Sequence, residues 1–359
     1  MSRLDSPERY DPSTVKAFAS ELFRHAGLDH EKADSVASIL LEADLMGHST
    51  HGLALVPWYF EEIACSSMNP SGDIEVLSDR GACVTWNGKR LPGAWLTEKA
   101  MTLAIDRAGT YGTVTVAISD SHHIGALAAY LPRATERGYM AMLACSTASG
   151  AGVAPFGGRK AVFTPDPMAA GIPTNGDPIL LDVSASITTL NRAKQMARDG
   201  LHFPHPWALD ADGIPTDDPT AVISEGGTLL PVGGLDHGHK GYSWAILVEA
   251  LTQGLGGFGR ADQPQGQSLS VFLQVIDPSA FGGKAAFTRQ TTWLTEACVN
   301  CPPRPGVDRV RIPGEQALVR RRAAMEQGVP LSEAIIAPLR PLAKNAGLIV
   351  PAPISNGVA

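Results

Sequence analysis

The chain has 359 residues, about the length of two domains and enough for a large core without disulfide staples. Hydrophobic residues are 44% and charged residues 18%, a globular composition that excludes a disordered chain. The formal net charge of −7 argues against a broad nucleic-acid or acidic-membrane footprint, which needs clustered Lys and Arg.

The N-terminus, MSRLDSPERYDP, is polar and lacks the apolar stretch of a signal peptide. A run of three helices is expected next. Ser13 is a candidate N-cap, with Val15, Phe18 and Leu22 on one face and Gly27 as the stop. Asp29 caps a second helix carrying Val36, Leu40 and Ala43, ended by Gly47, and a third starts near His51 and runs through Tyr59. Near Pro70 the character changes. Strands are expected at Ile74–Leu77, Cys83–Trp86, Thr113–Ile118, Met140–Cys145 and Leu269–Ile276. Helices are expected at Ala94–Arg107, at Ala126–Arg137 and at the strongly apolar Gly241–Gly254, which reads as buried. The Gly- and Pro-dense stretch from Gly150 to Pro178 reads as loops and short strands. The tail from Phe281 returns to helix, with Glu315–Gln327 and Leu331–Asn345 last. No apolar run reaches the ~18 residues needed to span a bilayer, so cytoplasmic residence is the expectation. Helical ends around a mixed middle imply one domain built from 1–72 and 286–359, with 73–285 inserted.

Gly254, Gly256 and Gly259 fit the dinucleotide pattern G-x-G-x-x-G. That motif works only where a strand precedes it and a helix follows, so that helix N–H groups face a pyrophosphate. Here an apolar helix precedes it and Arg260-Ala-Asp-Gln-Pro follows, so it reads as a helix end and a loop. The five cysteines are an ordinary intracellular count whose odd number fits poorly with a closed disulfide framework. Cys298-x-x-Cys301 has neither the second pair of a zinc site nor the βαβ setting of a redox motif.

Two segments carry acid–base chemistry: Gly47-His48-Ser49-Thr50-His51-Gly52, and Ser121-His122-His123-Ile124-Gly125. Imidazole exchanges a proton near neutral pH, and small neighbours let a ligand approach. Surface or capping histidines are the alternative reading. Metal ligation is a further one, through His122/His123, His237/His239 or His202/His205, but none has zinc spacing on an expected helix, and no metal is expected.

The segment Leu41-Glu-Ala-Asp-Leu-Met-Gly-His-Ser-Thr-His-Gly-Leu with Pro57-Trp-Tyr59 resembles a hallmark of the malate/L-lactate dehydrogenase-like family, roughly ADxxGHxSHGxxRxPxY. SHHIG at Ser121–Gly125 is similar to the family's SNHFG, Ala154-Pro-Phe-Gly-Gly158 to its APxGG loop, and Pro178–Ser186 to its PxxLDMAxS strand. Trp207–Gly213, Thr216–Pro219, Leu229–Gly234, His239-Lys-Gly-Tyr242, Ile276-Asp-Pro278 and Val310–Glu315 also match, in order along nearly the whole chain. The resemblance implies an α/β (α+β) fold that is not a Rossmann fold: a helical domain from both termini and a largely antiparallel-sheet NAD(P)-binding domain, assembled as a homodimer. It implies hydride transfer between NAD or NADP and C2 of a small 2-oxo/2-hydroxy acid. It also implies roles. His51 and His123 handle the proton, and Thr50 and Tyr59 lie near the substrate. Gly157, Gly158, Asp182, Ser184, Ser186, Arg192, His239, Lys240, Gly314 and Glu315 hold the cofactor. For Asp182 a strand-end backbone contact is the alternative, and for Lys240 a surface lysine at a helix start.

Three departures bear on specificity. Most family members have Arg four residues after the second histidine of the hallmark, a natural fork for a carboxylate; here it is Leu55. Arg159 and Arg192 are candidate substitutes. The family's GTNP becomes Thr164-Pro-Asp-Pro167, and a Gly-Lys pair becomes Asn191-Arg192. The expected substrate is therefore a small molecule with a larger or apolar 2-substituent, not malate. A cyclic imino-acid (C=N) reductase, a catalytically degenerate relative and a metal hydrolase are the competing classes.

Overall fold

The computed structural model describes residues 7–354. Strand β1 (Glu8–Tyr10) is followed by helix α1 (Pro12–His25). Asp11 caps α1, not Ser13: Asp11 has an extended backbone, accepts from the Thr14 N–H at 2.8 Å, and is followed by Pro12 in the first turn. Helix α2 (His30–Met46) begins as expected at Asp29 and ends at Gly47, which takes a φ of 85°. The third helix starts later than the pattern suggests. Ser49–His51 and Leu53–Leu55 are 3-10 turns, and α3 (Val56–Ala64) follows with Pro57 in its first turn.

The chain then builds β2 (Glu75–Asp79), β3 (Cys83–Asn87), α4 (Gly93–Tyr111), β4 (Thr113–Ser121), the single turn α5 (Pro132–Thr135), β5 (Met140–Thr147), β6 (Met168–Ile172) and β7 (Ile179–Val183). The expected helix over Ala126–Arg137 is interrupted. Leu127–Tyr130 is a 3-10 turn, and Pro132, which has no N–H to continue it, opens α5.

A smaller region follows: α6 (Leu190–Arg198), β8 (Ala208–Leu209), β9 (Pro215–Thr216), the turn α7 (Thr220–Ile223), β10 (Thr228–Leu229), the turn α8 (Gly234–His237) and α9 (His239–Glu249). Met196, Phe203 and Leu229 of this region form a separate buried cluster with Val153 and Phe163 from the segment between β5 and β6. Strand β11 (Leu269–Ile276), α10 (Lys284–Val299), α11 (Glu315–Gln327), β12 (Val329–Leu331), the turn α12 (Glu333–Ile336) and α13 (Leu339–Ala346) complete the described chain.

The main sheet has the order β2-β3-β4-β11-β5-β6-β7. Every neighbour pair is antiparallel except β3 and β4, which α4 connects. The two ends of the chain meet: β1 pairs with β12, α11 packs on α2, and α13 packs on α1. One large core runs from Leu22, Phe23 and Leu40 on the helices through Trp95 and Met101 on α4 to Val116, Leu143 and Leu273 in the sheet.

The apolar helix after Gly241 is present as α9 with a π-helical extension over Ala250–Gly254, but it is not buried as its composition suggests. Trp244 is 39% exposed, Leu247 52% and Leu255 53%. Composition reports apolarity, not whether the same chain supplies a cover for it.

Candidate active site

The two histidine segments converge although 72 positions separate His51 from His123, and their rings lie 6.0 Å apart, centroid to centroid, at 24°. His51 is presented by the 3-10 turn after α2, and His123 by the segment that leaves β4. Tyr59, fully buried on α3, places its hydroxyl 2.8 Å from His123 Nδ1. The Gly125 N–H donates to the same nitrogen at 3.3 Å. A backbone N–H can only donate, so Nδ1 is the unprotonated nitrogen and His123 carries its proton on Nε2. Thr50 Oγ1 stands 2.9 Å from His51 Nδ1 and, as a hydroxyl, can serve either protonation state of that nitrogen.

Both rings are held neutral. Burial lowers the His51 pKa to about 4, with His48 adding to the effect, and burial drives His123 well below the ordinary value, helped by His51 and His122. Neutral imidazoles next to each other accept a proton from an alcohol or donate Nε2–H to a carbonyl. An anionic ligand raises their proton affinity on binding.

The strand-end carboxylate Asp182 belongs to the same neighbourhood. Its Oδ2 accepts from the Ala128 N–H at 2.9 Å, just beyond the His123 segment, and the His48 imidazole opposes the upward shift that burial imposes on its pKa. Ser184 donates to the Ser186 carbonyl at 2.8 Å, and Ser186 bridges to Pro231. From there the backbone reaches α9: Val232 N–H donates to Ala185 O, and Gly241 packs so closely on Ala185 O and Val232 that a Cβ would lie within 2.6 Å of both. His239 and Lys240 are exposed at the start of α9, and Phe156 of the glycine loop lies 5.8 Å from the His239 ring. The space around the Cβ position of Gly157 is open, and its φ of 87° favours glycine. Gly314 sits on β7, where a Cβ would meet Leu180 at 2.5 Å. Its neighbour Glu315 pairs with Arg309 and borders a cavity of about 610 Å³ between α10, α11 and the β6–β7 turn. Gly157, Gly158, Asp182, Ser184, Ser186, His239 and Lys240 thus form one connected band.

Leu55 is buried in the main core, and no carboxylate can use it as an anchor. Arg159 lies over Gly213 and faces Asp212 at 3.9 Å on an exposed turn, so its charge partner is not on the histidine segments. Arg192 is exposed on α6, where it bonds to Gln195.

Residues 10–340 match the malate/L-lactate dehydrogenase family. The chain belongs to that family. It is 30% identical over 347 residues to the L-lactate dehydrogenase of Cupriavidus necator, covering 94% of this chain and 98% of that protein. The structure of malate dehydrogenase from Entamoeba histolytica shares the fold with a TM-score of 0.89 at 24% identity, over 96% of this chain and all of that one. The delta1-piperideine-2-carboxylate reductase from Pseudomonas syringae superposes with a TM-score of 0.82 at 28% identity, over 94% of this chain and 100% of that one. Membership makes this malate/L-lactate dehydrogenase family protein an oxidoreductase. The glycine motif is not a strand-to-helix turn: Gly254 and Gly256 lie in the last turns of a helix, Gly259 follows it, and Gly256 lies against Ser119 of the sheet.

Several contributors escaped the sequence reading. Asp44 holds the turn that carries His51 by accepting the Leu53 N–H at 2.7 Å. Gly93 lets the His122–His123 backbone press on α4, since a Cβ there would lie 2.0 Å from His122 O. The Trp58 ring lies beside both His122, tilted at 5.5 Å, and His123, edge-on at 5.3 Å. Asp44 lies inside the hallmark segment, but neither its spacing nor its type indicates that its partner is nine residues on.

Proposed function

We propose that the protein transfers hydride between NAD(P) and C2 of a small 2-oxo/2-hydroxy acid bearing a bulkier or more apolar 2-substituent than malate. The carrying observation is the stacked His51–His123 pair with Tyr59 on His123 Nδ1. The band from Gly157 through Asp182 and Ser186 to Lys240 suits a dinucleotide: an ammonium for the diphosphate, an open glycine turn that admits a phosphate oxygen, and hydroxyls and a carboxylate for the riboses. A bound nicotinamide supplies or accepts the hydride. The chain's own part is to move the proton. In the oxidising direction an unprotonated nitrogen of the neutral pair takes the hydroxyl proton and in reduction returns it to the substrate oxygen; on His123, whose Nδ1 is engaged by Tyr59 and Gly125, Nε2–H donates to that oxygen. With the apolar Leu55 where the family hallmark has Arg, no cation stands there for a second carboxylate, which favours an apolar 2-substituent. In the proposed division a helical part, 1–72 with 286–359, flanks an inserted part, 73–285; the contact of α2 with α4 joins the two beside the site. A homodimer is the proposed assembly, with the exposed side of α9 at Trp244 and Leu247 as the surface a second copy covers.

A substrate panel with NADH and NADPH tests the reading. Phenylpyruvate-like acids should be reduced faster than oxaloacetate or pyruvate, and malate among the best substrates would reject it. The likeness to a reductase of a cyclic imino acid favours a second reading, C=N reduction by the same histidines, which piperideine-2-carboxylate in the panel decides.

A further inference from the structure

We propose that Glu62 and His122 form a positioning pair that holds His123 in register for proton transfer. This rests on the proposed function of the same site. Helix α3 and the segment leaving β4 are tied twice. Tyr59 reaches His123 Nδ1 at 2.8 Å, and one helical turn further on Glu62 Oε2 meets His122 Nε2 at 3.2 Å. Positions three apart on a helix share a face, so the two ties are adjacent rungs between the same two segments. The outer rung is fully enclosed on the histidine side: His122 has no exposed surface, and its ring lies 5.5 Å from Trp58 and 5.5 Å from Tyr59, edge-on to the latter at 87°. Trp58 Nε1 donates to the other oxygen of Glu62 at 3.0 Å, so the carboxylate joins the two side chains Trp58 and His122 beside His123. The backbone is pinned as well, by Ser121 Oγ donating to His122 O at 2.8 Å and by the tight approach of Gly93.

The pair has a polarity. Because the carboxylate accepts from Nε2, His122 presents a bare Nδ1, which is buried with no partner among the described residues. The titratable and charged groups acting on His122 are Glu62 and Tyr59 from α3, Arg90 from the turn before α4, and His123 beside it. Burial and Arg90 disfavour its protonation and Glu62 favours it, leaving the ring neutral and the carboxylate charged near neutral pH. An anion therefore stands one rung from His123 and favours a proton arriving there during turnover. The similar family segment SNHFG carries Asn where this chain has His122.

The test uses full-length Glu62→Leu, Glu62→Gln and His122→Asn. Steady-state turnover of the best panel substrate should show kcat down at least about tenfold in Glu62→Leu with KM within about twofold. Glu62→Gln, which keeps an acceptor for the ring, should recover most of the rate. The pH limb of kcat/KM should move to lower pH in both, since the anion near His123 is gone. Independently of activity, ¹⁵N spectra of histidine-labelled protein should report a single Nε2–H form of His123 in the wild type and a mixture in Glu62→Leu. Lower thermal stability with kcat, pH limb and tautomer unchanged would overturn the proposal. A wild type inert to oxo and imino acids would sink the proposed function instead, and the spectra would still decide this inference.

Discussion

The carboxylate of Asp44 fills the space in which Gly52 would carry a side chain. A Cβ at Gly52 would lie 2.3 Å from the carboxyl carbon and both oxygens. This contact ties the turn bearing His51 to the last residues of α2, and the Leu53 N–H completes the tie by donating to Asp44 Oδ2.

Gly52→Ala must displace the buried Asp44 carboxylate or push the two segments apart. It should cost about 3 kcal/mol of stability and most of the activity, since His51 moves with the turn. Urea unfolding and a single-substrate assay check this; a wild-type midpoint would show that the turn tolerates the shift.

Asp44 also predicts a pH dependence. Burial pushes its carboxyl up to about 7, above the ordinary value of 3.8, against the Leu53 hydrogen bond. The folded state therefore keeps a proton that the unfolded chain releases. The associated stability is full below the unfolded value and is lost as pH rises through about 7. Asp44→Asn keeps an acceptor and removes the titration. Relative to the variant, the wild type should lose up to about 4 kcal/mol between about pH 4 and pH 8. Parallel stability curves for the two proteins would refute this.

Tyr59→Phe removes one of the two groups that hold His123 Nδ1 and leaves the Gly125 N–H as the other. Stability should fall by only about 1 kcal/mol, the net worth of one neutral hydrogen bond. The loss in kcat/KM should be larger, about ten- to a hundredfold, because the ring loses the shorter of the two contacts that orient its Nε2–H. Equal losses in both quantities would assign Tyr59 to the core alone.

Lys240→Met should weaken nucleotide binding about tenfold, or about 1.4 kcal/mol, and shrink the thermal shift that NADH or NADPH produces. An unchanged shift would move the diphosphate elsewhere.

Leu55→Arg introduces a fork for a carboxylate at a buried position. It should lower KM for oxaloacetate relative to phenylpyruvate while destabilising the protein by about 3 kcal/mol, the cost of an unpaired buried charge. Unchanged relative KM values would place Leu55 outside the pocket wall.

Much of the fold was legible in the residues. Asp29 and Gly47 bound α2 because capping chemistry is local, and the β-branched runs at Thr113–Ile118 and Leu269–Ile276 lie in the adjacent strands β4 and β11. The two histidine segments were singled out by residue type and by resemblance. Neither source shows that the rings stand 6.0 Å apart, that Asp44 meets Gly52, or that Glu62 pairs with His122. The break at Pro132 and the exposed side of α9 belong with these. Capping and periodicity are written within a few residues of one another and survive without the rest of the chain. Contacts between α3, the segment leaving β4 and the turn after α2 arise only when the core between α1, α2, α4 and the sheet closes, since burial then decides which distant side chains share a space and which nitrogens can keep a proton.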